Sequence, residues 1–188
     1  MMPKLNVIEV APGEAGVHAA IVAVHQLFED DESFALVPAG DSAALAAVAA
    51  DQPVLSDEAV AVLVTSGSTG AVRGVELPLS AIAAAAEQSA IHFRDQAVWL
   101  TCLPVTGIGG LNTVVRAALA GTAPTIWPGI AGAAPFSAAA IEPYLVATLR
   151  SARKQKLAAA ASLVPTQLFR IAESESALAA LADLDYVL

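Results

Sequence analysis

Short β-branched, apolar runs alternate along the chain with Ala- and Leu-rich stretches whose apolar positions recur at helical spacing. Strands are predicted at residues 5–10, 33–37, 59–65, 97–103, 123–127, 157–163 and 186–188. Helices are predicted between them at 16–30, 42–50, 80–93, 109–120, 137–152, 165–173 and 176–182. This alternation predicts an α/β fold, a layered, largely parallel sheet with flanking helices. Several helices carry their own boundary signals. Asp41 and Ser80 stand where N-caps belong and Pro165 at a first-turn position, while Arg150, Arg153 and Lys154 gather at a helix end, whose negative pole favours them. The Pro-, Gly- and Ala-rich stretch 127–135 reads as the main internal loop, with no repeat and no interdomain linker.

Composition narrows the function classes. The 188 residues suit one generous domain with a sizeable core. Nine Lys plus Arg against 18 Asp plus Glu give a formal charge of −9. So acidic a chain lacks the basic footprint that duplex nucleic acid or an anionic membrane requires, whereas a small phosphorylated ligand needs only a few local donors. A hydrophobic content of 56% with 14% charged residues excludes intrinsic disorder and predicts an Ala-rich, thinly aromatic core. The single cysteine, Cys102, excludes an internal disulfide or a Cys-based metal cage and fits a reducing, cytoplasmic compartment.

Residues 1–4 lack the apolar run of a signal peptide. The uncharged stretches 96–115 and 117–141 are long enough to suggest membrane spans but are broken by Pro104, Gly107, Gly109, Gly110, Gly121, Pro124, Pro128 and Gly129, which predicts buried structure instead. The sequence closes on Asp185-Tyr186-Val187-Leu188, an apolar run with no polar tail, so residues 1–188 are expected to form a single incomplete domain. An open sheet edge there would favour self-association, making a homo-oligomer an expected state.

Between the apolar run 59–64 and the extended run 75–77 lies Thr65-Ser66-Gly67-Ser68-Thr69-Gly70-Ala71-Val72-Arg73-Gly74-Val75. Hydroxyls at Thr65, Ser66, Ser68 and Thr69, glycines at 67 and 70 and the Arg73 cation together suit a nest for polyphosphate oxygens. A plain Ser/Gly loop fits the composition equally well; placement after a buried strand favours the nest. Other phosphate motifs are excluded. A Walker A loop needs a Lys, and none lies between Lys4 and Lys154. Gly107-Ile108-Gly109-Gly110 begins like a dinucleotide fingerprint but has Asn112 where the third glycine belongs, and no Gly-x-Ser-x-Gly nucleophile elbow occurs.

The segment 65–75 resembles the Thr-Ser-Gly-Ser/Thr-Thr-Gly-x-Pro-Lys-Gly-Val phosphate loop of the adenylate-forming enzymes, matching nine of eleven positions, with Val72 for Pro and Arg73 for Lys. Two further segments follow in the family's order. Leu103-Pro104-Val105-Thr106-Gly107-Ile108-Gly109-Gly110-Leu111 is similar to its Leu-Pro-x-aromatic-His-x-x-Gly-Leu segment, with Thr106-Gly107 in place of the aromatic-His pair. Ser162-Leu163-Val164-Pro165-Thr166-Gln167-Leu168 resembles the Leu-Val-Pro-Thr-Gln-Leu segment of the o-succinylbenzoate–CoA ligases of menaquinone synthesis. The likeness spans roughly residues 33–188.

This resemblance implies the partial N-terminal domain of the adenylate-forming fold and a two-step, AMP-forming ligase using ATP, Mg2+ and CoA on a small carboxylic acid. It implies Arg73 as catalytic residue and Thr65, Ser66, Gly67, Ser68, Thr69 and Gly70 as ATP phosphate ligands. It further implies an acyl-substrate pocket of Gly107, Gly109, Gly110, Leu111, Pro165, Thr166 and Gln167, where small residues leave room for a flat ring. No metal ligand is assigned within these residues. The family's adenine, ribose and Mg2+ segments and its late catalytic Lys would follow Leu188, so residues 1–188 alone are expected to be inactive. Another aryl- or fatty-acid CoA synthetase, and a non-catalytic nucleotide-binding or scaffold module, remain open alternatives.

The remaining chemistry-bearing residues have structural expectations. His18 and His25, seven apart on one helix face, are expected at the core edge, and Cys102, Trp99 and Trp127 in the core. His92 is expected at a helix end and the acidic run 29–32 in a solvated turn. Asn112 is expected either as a helix cap or as a substrate contact.

Overall fold

The computed structural model describes residues 5–48, 56–66, 72–93 and 96–188, the side chains of 66 and 89–93 excepted. The first half forms β1 (Asn6–Val10), α1 (Glu14–Asp30), β2 (Phe34–Pro38), α2 (Ser42–Ala47), β3 (Val60–Ser66), β4 (Val72–Pro78) and α3 (Leu79–Phe93). The second half forms β5 (Ala97–Thr101), α4 (Ile108–Leu119), β6 (Thr125–Ile126), α5 (Ala138–Gln155), β7 (Ala158–Ala161), α6 (Pro165–Ile171), α7 (Glu175–Ala182) and β8 (Tyr186–Val187). A 3-10 turn at Ile130–Gly132 lies within the expected loop 127–135.

The strands divide between two four-stranded sheets, ordered β1-β2-β3-β4 and β6-β5-β7-β8, where the sequence suggested one. All pairings are parallel except β3 with β4. The run expected at 75–77 is the middle of β4, which turns back antiparallel along β3 from Ser66↔Val72 to Val60↔Pro78. By reversing, β4 ends the first sheet, and the chain starts a second with β5.

Two-residue alternation assigns the faces of the first sheet. Phe34, Leu36, Ala61 and Leu63 look into the main core with α1, while Ala35, Val37, Val60 and Val62 pack with Ala44 and Val48 on the other face. In the second sheet Val98, Leu100, Ala159 and Ala161 share the main core with Ile141, Leu145 and Leu149 of α5, and Trp99 and Ala160 face the opposite way. Strand β7 is four alanines, helix formers by propensity. Its place between β5 and β8, with three of the four buried, overrides that preference because only small side chains let covering layers approach closely.

Asp41 caps α2, its carboxylate accepting from Ala43 and Ala44 N–H at 3.1 and 2.9 Å. Ser80 is not a cap. It lies inside α3, and Glu58 receives both its N–H (2.9 Å) and its Oγ–H (2.8 Å), so the negative charge at this helix start comes from across the chain. His18 and His25 are exposed rather than at the core edge; each reaches a glutamate one turn away, Glu14 at 3.5 Å and Glu29 at 3.6 Å. Trp127 is buried edge-on to Phe136 with ring centres 5.1 Å apart. Asn112 is the fifth residue of α4, past its Gly107 N-cap, so it caps nothing. The side chain of His92 lies outside the described residues. Among the described residues, no helix is long and apolar enough to cross a membrane.

Candidate functional site

The C-terminal ends of both parallel sets meet at one end of the molecule. Val10 and Pro38, which close β1 and β2, line a small apolar cavity with Pro104, Val105 and Thr106, just beyond β5, and Ile130. At about 20 Å³ it holds about one water and no ring-bearing ligand. Its value is topological, since it shows the strand ends of the two sheets converging, which is where open α/β sheets bind ligands.

On the first sheet this end carries the β3–β4 hairpin. Thr65 lies directly opposite Arg73 in the antiparallel register, so their side chains leave the sheet on the same face. That face is the one carrying Ala61 and Leu63, and period two carries it past the buried core to Thr65 and Arg73, both exposed. A hydroxyl and a guanidinium thus stand side by side at the strand end, a donor pair suited to anionic oxygens. Gly67, Ser68, Thr69 and Gly70 lie outside the described residues, as does the side chain of Ser66.

On the second sheet the chain passes from β5 to β6 on one side, then returns past β5 to β7 on the other. Neighbours β5 and β7 therefore flank a topological switch point, the position outside whose strand ends the crevice of an open α/β sheet lies. Helix α4 covers the Trp99 face, where Arg116 stacks 4.8 Å over the Trp99 ring and Thr113 shares a 2.7 Å hydrogen bond with buried Thr101. Helix α6 follows β7 and sends Ile171 into the main core.

The segments expected to form an acyl pocket border this crevice, with changed roles. Gly110 is buried; a Cβ there would strike the carbonyl oxygens of Pro104 and Leu103, so the missing side chain serves close backbone packing and leaves no room for a ring. Leu111 is a core residue, 1% exposed. Both are corrected from pocket lining to packing. Gly107 is exposed as the N-cap of α4 and Gly109 is half-buried against Leu103. Across the crevice Pro165 and Thr166 are exposed and Gln167 is half-buried. Ile108, not singled out in the sequence, is 51% exposed in the first turn of α4 between Gly107 and Gly109. Among the described residues, no grouping of His, Cys, Asp and Glu could hold a metal ion.

Cys102, just past β5, packs as a small apolar group, and burial pushes its thiol up to about 12. An unfolded cysteine ionises near ~8.5, so above that pH the unfolded chain gives up a proton that the native chain keeps, and stability falls with rising pH up to about 12. Urea melts at pH 8 and pH 10.5 are expected to show a smaller alkaline loss in Cys102→Ala than in the wild type. Equal losses would mean that the thiol is not the group responsible.

No protein-family model and no curated protein sequence matches the chain. Solved structures do. An o-succinylbenzoate coenzyme A synthetase from Bacillus subtilis, in complex with AMP, superposes with a TM-score of 0.61 at 18% identity, covering 94% of this chain and 54% of that one. The same synthetase with ATP and magnesium ion gives 0.58 at 18% identity, over 93% and 43% of the two chains. An ATP-bound RpMatB-BxBclM chimera gives 0.62 at 13% identity, over 94% and 42%. The chain thus spans about half the length of the proteins it resembles, and at these identities the likeness concerns the fold. By fold, then, the chain resembles about half of the o-succinylbenzoate coenzyme A synthetase and of the chimera.

Proposed function

We propose that the chain is the N-terminal part of an ATP-dependent, AMP-forming acid–CoA ligase whose acid is an aryl carboxylate of the 2-succinylbenzoate type, acting in the cytoplasm in menaquinone synthesis. The observation that carries this reading is the register of Thr65 opposite Arg73, which puts the first residue of the phosphate-loop signature and its one cation on one exposed face at the strand end. In the first step a carboxylate oxygen attacks the α-phosphorus of ATP and pyrophosphate leaves. In the second, the CoA thiolate attacks the acyl carbon and AMP leaves.

The first step is electrostatic work: charge gathering on the departing phosphates must be neutralised while carboxylate and phosphorus are held in line. Thr65 supplies a hydroxyl and Arg73 a forked cation for those oxygens. Gly107 and Gly109 on one side of the crevice, with Pro165 and Thr166 on the other, present the surface facing the acid. The described residues offer no acidic cluster for Mg2+, which would neutralise phosphate charge, so no step is assigned to a metal here.

A second reading, another aryl- or fatty-acid CoA synthetase, is favoured by the near-equal TM-scores of the o-succinylbenzoate synthetase and the chimera, 0.61 and 0.62. Exchange of labelled pyrophosphate into ATP, driven by a panel of carboxylic acids on the full-length protein, separates the two. 2-Succinylbenzoate is expected to exceed the other acids by about tenfold, roughly 1.4 kcal/mol of discrimination. If other acids lead by that margin the substrate assignment is wrong, and if no acid drives exchange the chain belongs to a scaffold. The 188 residues alone are expected to make no acyl-CoA.

A further inference from the structure

The hydrogen-bond ladder between β5 and β7 stops at Leu100↔Ala161. Beyond it the switch-point crevice is crossed by two weaker contacts. Cys102 Sγ donates to the Ser162 carbonyl at 3.4 Å, and Gln167 Nε2 donates to the Cys102 carbonyl at 3.3 Å. The other end of the same amide is also engaged, Gln167 Oε1 accepting from Val164 N–H at 3.1 Å. Val164 is the N-cap of α6 and has no side-chain oxygen, so Gln167 does the capping from the first turn.

Packing alone does not place this helix. Of the seven residues of α6, Ile171 is the one buried. Val164, Leu168 and Phe169 stay exposed, Phe169 at 76%, and a further tie runs from Arg170 Nη1 to the Phe136 carbonyl at 2.9 Å. A helix with one anchor in the core takes its position from its hydrogen bonds.

We propose that Gln167 is a positioning residue for the acid substrate, a strut that fixes the spacing between the wall following β5 and the wall begun by α6. This rests on the ligase reading. One N–H of the Gln167 amide is engaged by the Cys102 carbonyl and its oxygen by the Val164 N–H, so the two walls orient the side chain. Its neighbours Pro165 and Thr166, exposed on the same first turn, are held where the acid passes.

Two substitutions separate the ends of the strut. Q167E keeps an oxygen for Val164 N–H but sets a second oxygen against the Cys102 carbonyl, so the cap survives and the cross-link is lost. Q167M, similar in length, loses both. In the full-length protein, Q167E is expected to raise the KM for the acid about tenfold with the KM for ATP unchanged and the thermal midpoint lowered by only a few degrees, since a lost hydrogen bond of about 1–1.5 kcal/mol corresponds to that factor. Q167M is expected to raise it as much, to lower the midpoint further and to speed hydrogen exchange at the Val164 amide. An unchanged acid KM in Q167E overturns the proposal and leaves Gln167 as a cap. A parallel rise in both KM values overturns it as well, since a merely structural residue would do that. A wild type that activates no carboxylic acid overturns the ligase reading, and the role resting on it, before any variant is made.

Discussion

Changing Arg73 to Ala in the full-length protein is expected to slow acid-driven pyrophosphate exchange by about a hundredfold or more, the usual cost of deleting one preorganised donor to a developing anion. Arg73 is exposed on β4, near the strand's start and opposite Thr65, and it belongs to neither buried cluster that holds the first sheet together. The thermal midpoint is therefore expected to stay at the wild-type value, which separates lost chemistry from lost folding. Arg73→Lys is the informative companion, because the family pattern has Lys at this position. A point charge can replace the guanidinium if charge alone is needed, and it fails if the phosphates are gripped by the planar fork. Lys is expected to restore most of the exchange. A scaffold that merely holds nucleotide predicts no rate to lose, so an Arg73→Ala protein with wild-type exchange would remove the phosphate loop from the mechanism.

Periodicity made most of this fold legible. Every strand and helix expected from alternation or helical spacing is present within a few residues of its expected ends, and most bury a face that their own pattern marks. What the pattern does not encode is partner choice. The reversal of β4 was hidden because residues 67–71, which lie between the strands, read in the sequence as a phosphate loop and carry no tight-turn signature, and that reversal is what splits one expected sheet into two. Capping failed for a similar reason at Ser80, where the true partner, Glu58, is 22 residues away in sequence. In the candidate site, Thr65 and Arg73 were legible as a motif, whereas Gly110 was misread. A glycine tells of missing volume and not of what fills it, and here the filling is the chain's own Pro104 and Leu103 backbone. Gln167 was expected in the acyl pocket from the sequence, but its hydrogen bonds to Cys102 and Val164 could be read only from the folded positions of those residues.

The same distinction between volume and conformation governs the largest expected loss of stability, Gly16→Ala. Gly16 is the third residue of α1 and is buried. A Cβ there would run into the Ala11 carbonyl oxygen and lie 2.7 Å from Val10 Cγ1, so the first turn of α1 is pressed directly onto the end of β1. The obstacle is backbone and cannot rotate away, so α1 must shift, and with it Val17, Ala20, Val24 and Leu27, which it sends into the main core. Overpacking of this kind costs about 1–3 kcal/mol, or about 2–4 °C of melting temperature per kcal/mol in a domain of this size. Gly40 is the control. It has φ +78° with nothing within 4 Å of the place a methyl group would occupy, so its requirement is conformational and not spatial. Asn tolerates left-handed backbone, and Gly40→Asn is expected to melt close to the wild type while Gly16→Asn falls further than Gly16→Ala. If Gly16→Ala melted with the wild type, α1 would not be seated on β1 as described, and the convergence of strand ends beside it, on which the candidate site depends, would lose its anchor.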